Sequence, residues 1–250
     1  MRVLVTRPEP GASRTATTLL EMGHQPLVMP LTRTIALKVS KAKLQAGGAG
    51  AFAVTSAAAI ACWHRLGIDP QCFGMPLYVV GSRTEEAAMD AGFLDVRLGG
   101  GDGRQLVAAI LGDLDSGKLW LSSEEKLVYV AGKIRHGCFE DGIRAEKLPI
   151  SLVEVYDTQN ISYSTDFLPR LFMPEPPDAI AFYSRKSGEA FFQLVERENL
   201  FNSLKKCRFL CLSGQVSGII PDQFRGQTLI AAFPDEASLL ALLDSDHPIS

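Results

Sequence analysis

The sequence lacks the features that would assign it to a membrane or to nucleic acid. None of its 250 residues lies in an apolar run near the roughly 18 residues that span a bilayer. The opening MRVLVTRPEP starts a strand pattern at once and has no signal-peptide apolar stretch or cleavage site. The net charge is −3 without a long basic run, so general nucleic-acid binding is not expected. We therefore expect a cytoplasmic protein that binds neither membranes nor nucleic acid.

Cysteine and histidine are too scattered to predict a metal site. The five cysteines are odd in number, and the four histidines form no H-x-x-x-H or H-x-H pair. Cys207 and Cys211 are spaced as C-x3-C, but the surrounding CRFLCLSG is typical of a buried strand. We interpret these thiols as structural rather than as metal ligands or a disulfide. Neither a metal nor a cofactor is expected.

The sequence instead alternates short apolar strands with helices. Its 46% hydrophobic and 21% charged residues are ordinary for a globular protein, and its length allows a large core. Strands followed by a turn and a helix begin at RVLVTR, AFAVTS, LYVVGS, LVYVAG, AIAFYS and FLCLSG. Near-continuous apolar strands of this kind predict an α/β fold in which helices cover both faces of parallel sheets.

These units repeat in the same order, which predicts two related domains. AFAVTSAAA resembles AIAFYSRKS, YVVGSRTEEA resembles FLCLSGQVSGI, and GGGDGRQLVAAI resembles AAFPDEASLLAL. The second repeat lacks a closing pair of strands, which the N-terminal RVLVTRPEPGAS and QPLVMPLT can supply. We predict a discontinuous domain of residues 1–34 plus 160–250 and an inserted domain of residues 35–159. LTRTIALKVS and YDTQNISYST would form a two-stranded hinge, with a ligand cleft between the domains.

Small hydroxyl residues, glycines and cations follow the predicted strands. In a parallel sheet, ligands bind at this carboxyl edge, and helix N-termini and guanidinium groups there suit an anion. At any single turn, serine or threonine could simply cap a helix; taken together, the turns favour anion binding. The residues are Thr6, Arg7, Ser56, Gly81, Ser82, Arg83, Thr84, Gly132, Lys133, Ser184, Arg185 and Gly214.

Motifs for phosphate binding and for nucleophilic catalysis are missing. No G-x-x-x-x-G-K-[ST] occurs, GGGDG at 99–103 lacks the G-x-G-x-x-G order, and there is no G-x-S-x-G elbow. Tyr156, in VEVYDT, ends a strand at the predicted hinge. Its hydroxyl could face the ligand, or its ring could simply pack between strands. With so few acids, bases or nucleophiles, an enzyme of this sequence would work chiefly by holding a reactive substrate in shape.

An ordered set of motifs resembles the uroporphyrinogen-III synthase family over essentially the whole chain. The motifs are RVLVTRPEPGASRTATTLLEMGHQPLVMPL, FAVTSAAAI, YVVGSRTEEAAMDAGF, VEVYDT and AFYSRKSGEAFF. The resemblance implies a lyase of heme biosynthesis that needs no cofactor or metal. Its reaction closes hydroxymethylbilane, a linear tetrapyrrole, to uroporphyrinogen III with inversion of the D ring and loss of water. The acetate and propionate groups on every ring make this substrate a polyanion.

The resemblance also implies site residues. Tyr156 matches a tyrosine that aids departure of the leaving group or positions the substrate. Val216 stands where the family has threonine, which leaves Ser217 as the nearest hydroxyl and Gly214 as the retained turn residue. The remaining substrate-binding matches are Thr6, Arg7, Ser56, Thr84 and Ser184.

Two other functions fit the same sequence features. A nucleotide-sugar transferase shares paired α/β domains, although the chain is short for one and has no nucleotide fingerprint. A hinged small-anion sensor would share the basic turns without any chemistry. We expect a monomer, because no heptad pattern or exposed apolar helix is evident. Its expected partner is a small linear tetrapyrrole, as the family resemblance implies.

Overall fold

The computed structural model describes residues 1–122, 124–135, 137–173 and 175–244. Contacts divide the chain into two compact units, Met1–Arg33 with Gln159–Ser250, and Thr34–Thr158. Residues 245–250, which the sequence assigns to the discontinuous domain, lie outside the described residues. The α/β class is confirmed, because parallel sheets flanked by helices form both units. The ligand cleft stays a prediction.

Strands and helices alternate along the chain. The strands are β1 Arg2–Val5, β2 Gln25–Val28, β3 Thr32–Ala36, β4 Ala49–Val54, β5 Leu77–Val79, β6 Val96–Leu98, β7 Lys126–Gly132, β8 Ile150–Asn160, β9 Ala179–Phe182, β10 Arg208–Cys211 and β11 Thr228–Ile230. The helices are α1 Gly11–Glu21, α2 Ala57–Leu66, α3 Ser82–Asp90, α4 Gly103–Asp115, α5 Cys138–Ala145, α6 Phe167–Phe172, α7 Arg185–Arg197, α8 Gly214–Ser217 and α9 Glu236–Leu240. Short 3₁₀ turns lie in several of the connections.

The first unit contains a five-stranded sheet in the order β11-β10-β9-β1-β2. Its adjacent strands pair in parallel, and β9 and β10 are buried throughout, as expected for a sheet covered on both faces. One face packs on aromatic rings, with Phe209 5.1 Å from Phe224 and 5.9 Å from Phe192 between ring centroids. These rings bury much of the apolar surface that stabilises the unit.

The second unit contains a six-stranded sheet in the order β3-β8-β7-β4-β5-β6. Trp63 of α2 packs on Phe52 and Phe93 on one face, with ring centroids 4.8 and 5.2 Å away. Tyr129 and Phe139 meet edge to face at 4.8 Å on the other. The strand β3 begins in one predicted crossing and β8 ends in the other, and the two strands are neighbours in the sheet.

The two sheets share one strand order, as the internal repeat predicts. The run β6-β5-β4-β7-β8 corresponds to β11-β10-β9-β1-β2, so the N-terminal strands close the second repeat. Both aspartate turns also cap helices. Asp102 accepts hydrogen bonds from the backbone N–H groups of Arg104 and Gln105, each at 2.9 Å, and Asp235 accepts one from Ser238 at 2.7 Å. This is the carboxylate N-cap that offsets free N–H groups at a helix start.

The cysteines are mostly core residues. Cys207, just before β10, and Cys211, at its end, are buried, whereas Cys138 is exposed. Burial raises the pKa of Cys72 to about 11 and that of Cys211 to about 12, so both remain thiols at neutral pH. Within the described residues, no cluster of three or more His, Cys, Asp or Glu could hold a metal. The helices in that part of the chain are also too short or too polar to cross a membrane.

Candidate functional site

Tyr156 lies at the carboxyl edge of the second unit's sheet, directly beside the end of β7. It is in register with Gly132, and its backbone carbonyl accepts a 2.8 Å hydrogen bond from the N–H of Lys133. The ring lies so close that a Cβ at Gly132 would fall 2.5 Å from Cζ and 2.8 Å from the hydroxyl oxygen. Among the described residues, none hydrogen-bonds to that hydroxyl. Gly132 therefore makes room for the ring and leaves its hydroxyl available.

Arg135 holds the turn that follows β7. Its Nη1 donates to the carbonyls of Gly132 and Lys133 at 3.0 and 3.1 Å and to Glu154 of β8 at 2.7 Å. Its Nε and Nη2 each lie 2.9 Å from the carboxylate of Glu140, which is buried in α5. Because these groups use its donors, Arg135 braces the turn while Lys133 remains exposed.

Ser56 lies two residues after the end of β4, the strand next to β7, and starts a helix. Its hydroxyl accepts the N–H of Ala58 at 3.2 Å, so Ser56 is the N-cap of α2. The preceding Thr55 shares a 2.8 Å hydrogen bond with the hydroxyl of Tyr129, whose pKa is raised by burial. This pair ties the end of β4 to β7. The role of Tyr129 was not predictable from the sequence, because one aromatic residue inside an apolar strand resembles any other core residue.

Gly81 forms the next turn through a backbone conformation that favours glycine. It has φ of 76° and is the N-cap of α3 without a side-chain cap. Its N–H donates to the carbonyl of Gly100 at 3.1 Å. Ser82 and Arg83 are exposed, but Thr84 is buried in the core-facing side of the helix. The side chain of Thr84 therefore packs in the interior of its unit and does not cap the helix. Backbone N–H groups define this turn.

The two glycine turns provide a matched prediction. Gly81→Ala is expected to lower the free energy of unfolding by about 1–2 kcal/mol, because positive φ strains a residue with a Cβ, although nothing lies within 4 Å of the new atom. Gly214→Ala, at the corresponding turn, has equally open surroundings and no positive φ. It is expected to be nearly neutral. Urea unfolding of both variants checks this, and equal losses would contradict the backbone explanation.

Thr6 and Arg7 follow β1 in the first unit. The Thr6 side chain is fully buried and donates to the carbonyl of Ala181 at 2.8 Å, so it joins β1 to β9. The Arg7 guanidinium forms a 3.0 Å ion pair with Glu236 and lies 4.1 Å from the ring centroid of Tyr183. Thus Thr6 has a structural partner within the sheet, and Arg7 is part of a cluster that the sequence analysis did not predict.

Ser184 follows β9 and caps α7. Its hydroxyl oxygen accepts the N–H of Ser187 at 3.2 Å. Arg185 is exposed; it pairs with Glu189 at 3.2 Å and donates to the carbonyl of Gln215 at 3.4 Å. These contacts are on the surface, where ion pairs are weak and exchange readily with another anion.

The turn after β10 explains the missing threonine. Val216 is buried in the aromatic core of the first unit, so an apolar side chain suits the position where a hydroxyl was expected. Ser217 donates to the carbonyl of Gly214 at 2.9 Å and thereby closes the single turn α8. Gly214 itself is exposed at the start of that turn. Backbone groups, rather than a threonine hydroxyl, are what this strand end presents.

Comparison with known proteins identifies the family. The model of the family described as uroporphyrinogen-III synthase HemD matches residues 13–241. The chain belongs to the uroporphyrinogen-III synthase family. Members are cyclising hydro-lyases of tetrapyrrole biosynthesis, so the chain is an enzyme whose substrate is a small tetrapyrrole.

Solved uroporphyrinogen-III synthases share this fold at low sequence identity. The enzyme from Helicobacter pylori is 15% identical, with a TM-score of 0.64 over 97% of this chain and 98% of its own. A mutant enzyme from Thermus thermophilus is 16% identical, with a TM-score of 0.55 over 98% of this chain and 97% of its own. A search of curated proteins gave no match. At such identities the structural likeness establishes the fold alone.

Within each unit of this synthase, the predicted turns meet at one edge of the sheet. In the second unit, Ser56 and Gly81 follow β4 and β5, and Gly132 ends the adjoining strand β7, where it pairs with Tyr156 of β8. In the first, Arg7, Ser184 and Gly214 follow β1, β9 and β10. Their assignment to the substrate stays a prediction.

Proposed function

We propose that this synthase converts hydroxymethylbilane to uroporphyrinogen III, with inversion of the D ring and release of water. The family match over residues 13–241 supports the reaction class. The reactive group is assigned to the hydroxyl of Tyr156 from its position in the sheet. Its ring lies over Gly132 at the carboxyl edge of the sheet, and no described residue hydrogen-bonds to its hydroxyl.

The substrate carboxylates bind at the helix N-termini that follow the strands. Ser56, Gly81 and Ser184 are N-caps of helices, and Gly214 begins the single turn α8. The first N–H groups of a helix have no partner within it and favour anions. Exposed cations in the same turns add charge; these are Arg83, Lys133 and Arg185. Buried Thr6 and Thr84 support the turns of their own units through packing.

Tyr156 acts on the leaving hydroxyl group of the A ring. By donating a hydrogen bond to that oxygen, the phenol stabilises the negative charge that develops as the carbon–oxygen bond breaks. The hydroxyl group leaves as water, and the A-ring nitrogen gives up its N–H proton as the azafulvene forms, so the phenol ends the step protonated. The resulting azafulvene is an electrophile. The D ring attacks it through its substituted carbon to give a spiro intermediate, and fragmentation and re-closure produce the inverted ring. The protein's main contribution is orientation of the bilane.

Cyclisation of hydroxymethylbilane by the purified full chain tests this function. The expected product is the type III isomer, formed faster than spontaneous closure to the uninverted type I isomer. Chromatographic separation of the oxidised porphyrins distinguishes the two. Type I alone, at the spontaneous rate, would sink the proposal and favour an anion sensor or a transferase. We also propose that the enzyme is a cytoplasmic monomer without nucleic-acid partners, which sedimentation and cell fractionation can check.

A further inference from the structure

Arg7 forms a hydrogen bond through Nη1, one of its two terminal nitrogens. Nη1 lies 3.0 Å from Oε1 of Glu236 and 3.4 Å from the hydroxyl oxygen of Thr15. In the described part of the chain, the side-chain contacts of Arg7 with a defined donor atom use Nη1, and its other polar neighbour is Tyr183, whose ring centroid lies 4.1 Å from the guanidinium carbon. Gly11 lies against the guanidinium, since a Cβ there would be 2.5 Å from Nε and 3.0 Å from Nη2. The side chain is therefore fixed at one end of its fork.

Glu236 is the centre of the group that fixes it. It follows the N-cap Asp235 and begins α9. Its Oε1 accepts hydrogen bonds from Thr15 and, at 3.3 Å, from the hydroxyl of Tyr183. Burial raises the pKa of Tyr183 to about 12, so the phenol keeps its proton at neutral pH and can donate. Two hydroxyl groups thus hold one carboxylate oxygen beside Arg7.

We propose that Glu236 is a positioning residue that orients Arg7 so that Nε and Nη2 receive a carboxylate of the tetrapyrrole substrate. An Nε–Nη2 pair binds a carboxylate through two parallel N–H···O bonds, which fixes its direction as well as its distance. Arg7 follows β1, and Ser184 follows the neighbouring strand β9. The inference rests on the proposed function, because it assigns one contact of that substrate.

Glu236 could also weaken substrate binding instead of strengthening it. A carboxylate near the anion-binding fork repels a second carboxylate, so a competing Glu236 would weaken substrate binding. A Glu236 that positions Arg7 strengthens substrate binding instead. An arginine that is already held in place loses less rotamer freedom when the substrate binds. Tyr183 and Gly11 pack against the guanidinium group, and the ion pair of Nη1 with Glu236 is the charged contact that sets the rotation of the fork. We therefore expect positioning to dominate.

Steady-state kinetics of Glu236→Ala and Glu236→Gln test the sign. In Glu236→Ala, KM for hydroxymethylbilane is expected to rise about tenfold, the equivalent of one lost charge-assisted hydrogen bond, with kcat within about twofold. Glu236→Gln retains an acceptor oxygen for Nη1 and should restore KM to within about threefold of wild type. Asp222→Ala removes an exposed carboxylate of the same unit, 87% accessible, and should leave KM unchanged.

An Arg7→Ala background and a stable probe complete the test. If Glu236 acts through Arg7, Glu236→Ala has no further effect on KM once Arg7 is alanine. Binding of uroporphyrin III, the oxidised product, should weaken about tenfold in Glu236→Ala by fluorescence titration, whether or not the chain turns over. Absence of type III product from wild type would overturn the proposed function alone. A lower KM and tighter probe binding in both Glu236 variants, or an undiminished effect in Arg7→Ala, would overturn the positioning role.

Discussion

Gly132→Ala is expected to lower kcat/KM for hydroxymethylbilane by about 100-fold. A Cβ at this position would lie 2.5 Å from Cζ of Tyr156 and 2.8 Å from Cε2 and from the hydroxyl oxygen, well inside van der Waals contact. The ring must move by about 1 Å, and a displacement of that size near the reacting atoms costs about 100-fold. Steady-state formation of the type III isomer measures the loss.

The clash with Tyr156 can be separated from other effects of the new methyl group. In a Tyr156→Ala background the ring is gone, so Gly132→Ala should cause little further loss; full additivity would contradict the explanation. Tyr156→Phe keeps the ring on Gly132 and should retain partial activity, because substrate orientation survives. Gly112→Ala, inside α4 with nothing within 4 Å, is the matched control and should leave activity unchanged.

The proximity of Gly132 and Tyr156 was partly predictable. Gly132 ends β7 as predicted, and parallel pairing sets it beside the neighbouring strand β8. Tyr156, in contrast, does not end its strand as predicted, because β8 continues to Asn160. The sequence did not predict that the ring would lie on the glycine. That contact depends on register, which shifts by one residue between Ala131 and Gly132. A one-residue shift reverses the face on which a side chain lies, and no local pattern announced it.

Thr84 shows that helix spacing predicts burial better than position in a turn does. If Thr84 lay in the turn after β5, its hydroxyl would face the ligand. In the structure α3 begins at Ser82, so Thr84 and Ala88 are four residues apart on one face and both are buried. That spacing marks a helix face that packs on the sheet. The position of Thr84 in the helix therefore predicts its burial better than its position after a strand does. Val216, in the short turn α8 of the other unit, is likewise buried.

The cluster around Arg7 could not be predicted from local sequence. Thr15 and Glu236 are 221 residues apart in the chain, and no motif links them. They meet because β1 and β11 end at the same edge of one sheet and because Asp235 starts a helix there. The sequence predicted a cation at this strand end, and Arg7 follows β1 there. Its hydrogen-bond partners depend on the tertiary arrangement of helices α1 and α9.

Arg135→Ala is expected to lower the free energy of unfolding by about 3 kcal/mol. Its side chain is 18% exposed and pairs with Glu140, whose side chain is 9% exposed. Removing the arginine leaves that buried carboxylate without its cation, which typically costs about 3–5 kcal/mol. The carbonyls of Gly132 and Lys133 lose a donor as well. Urea unfolding, with m-values compared to exclude changes in the unfolded state, measures the loss.

A neighbouring pair on the same helix supplies the control for Arg135. Arg144 and Asp141 are 3.8 Å apart but 58% and 77% exposed, so Arg144→Ala should change stability by less than about 0.5 kcal/mol. In a Glu140→Gln background no buried charge is left unpaired, and Arg135→Ala should cost only about 1 kcal/mol. If Arg135→Ala instead costs as little as Arg144→Ala, the arginine does not brace the turn. In that case Lys133 and the Tyr156 strand must be held by the β7–β8 backbone pairing alone.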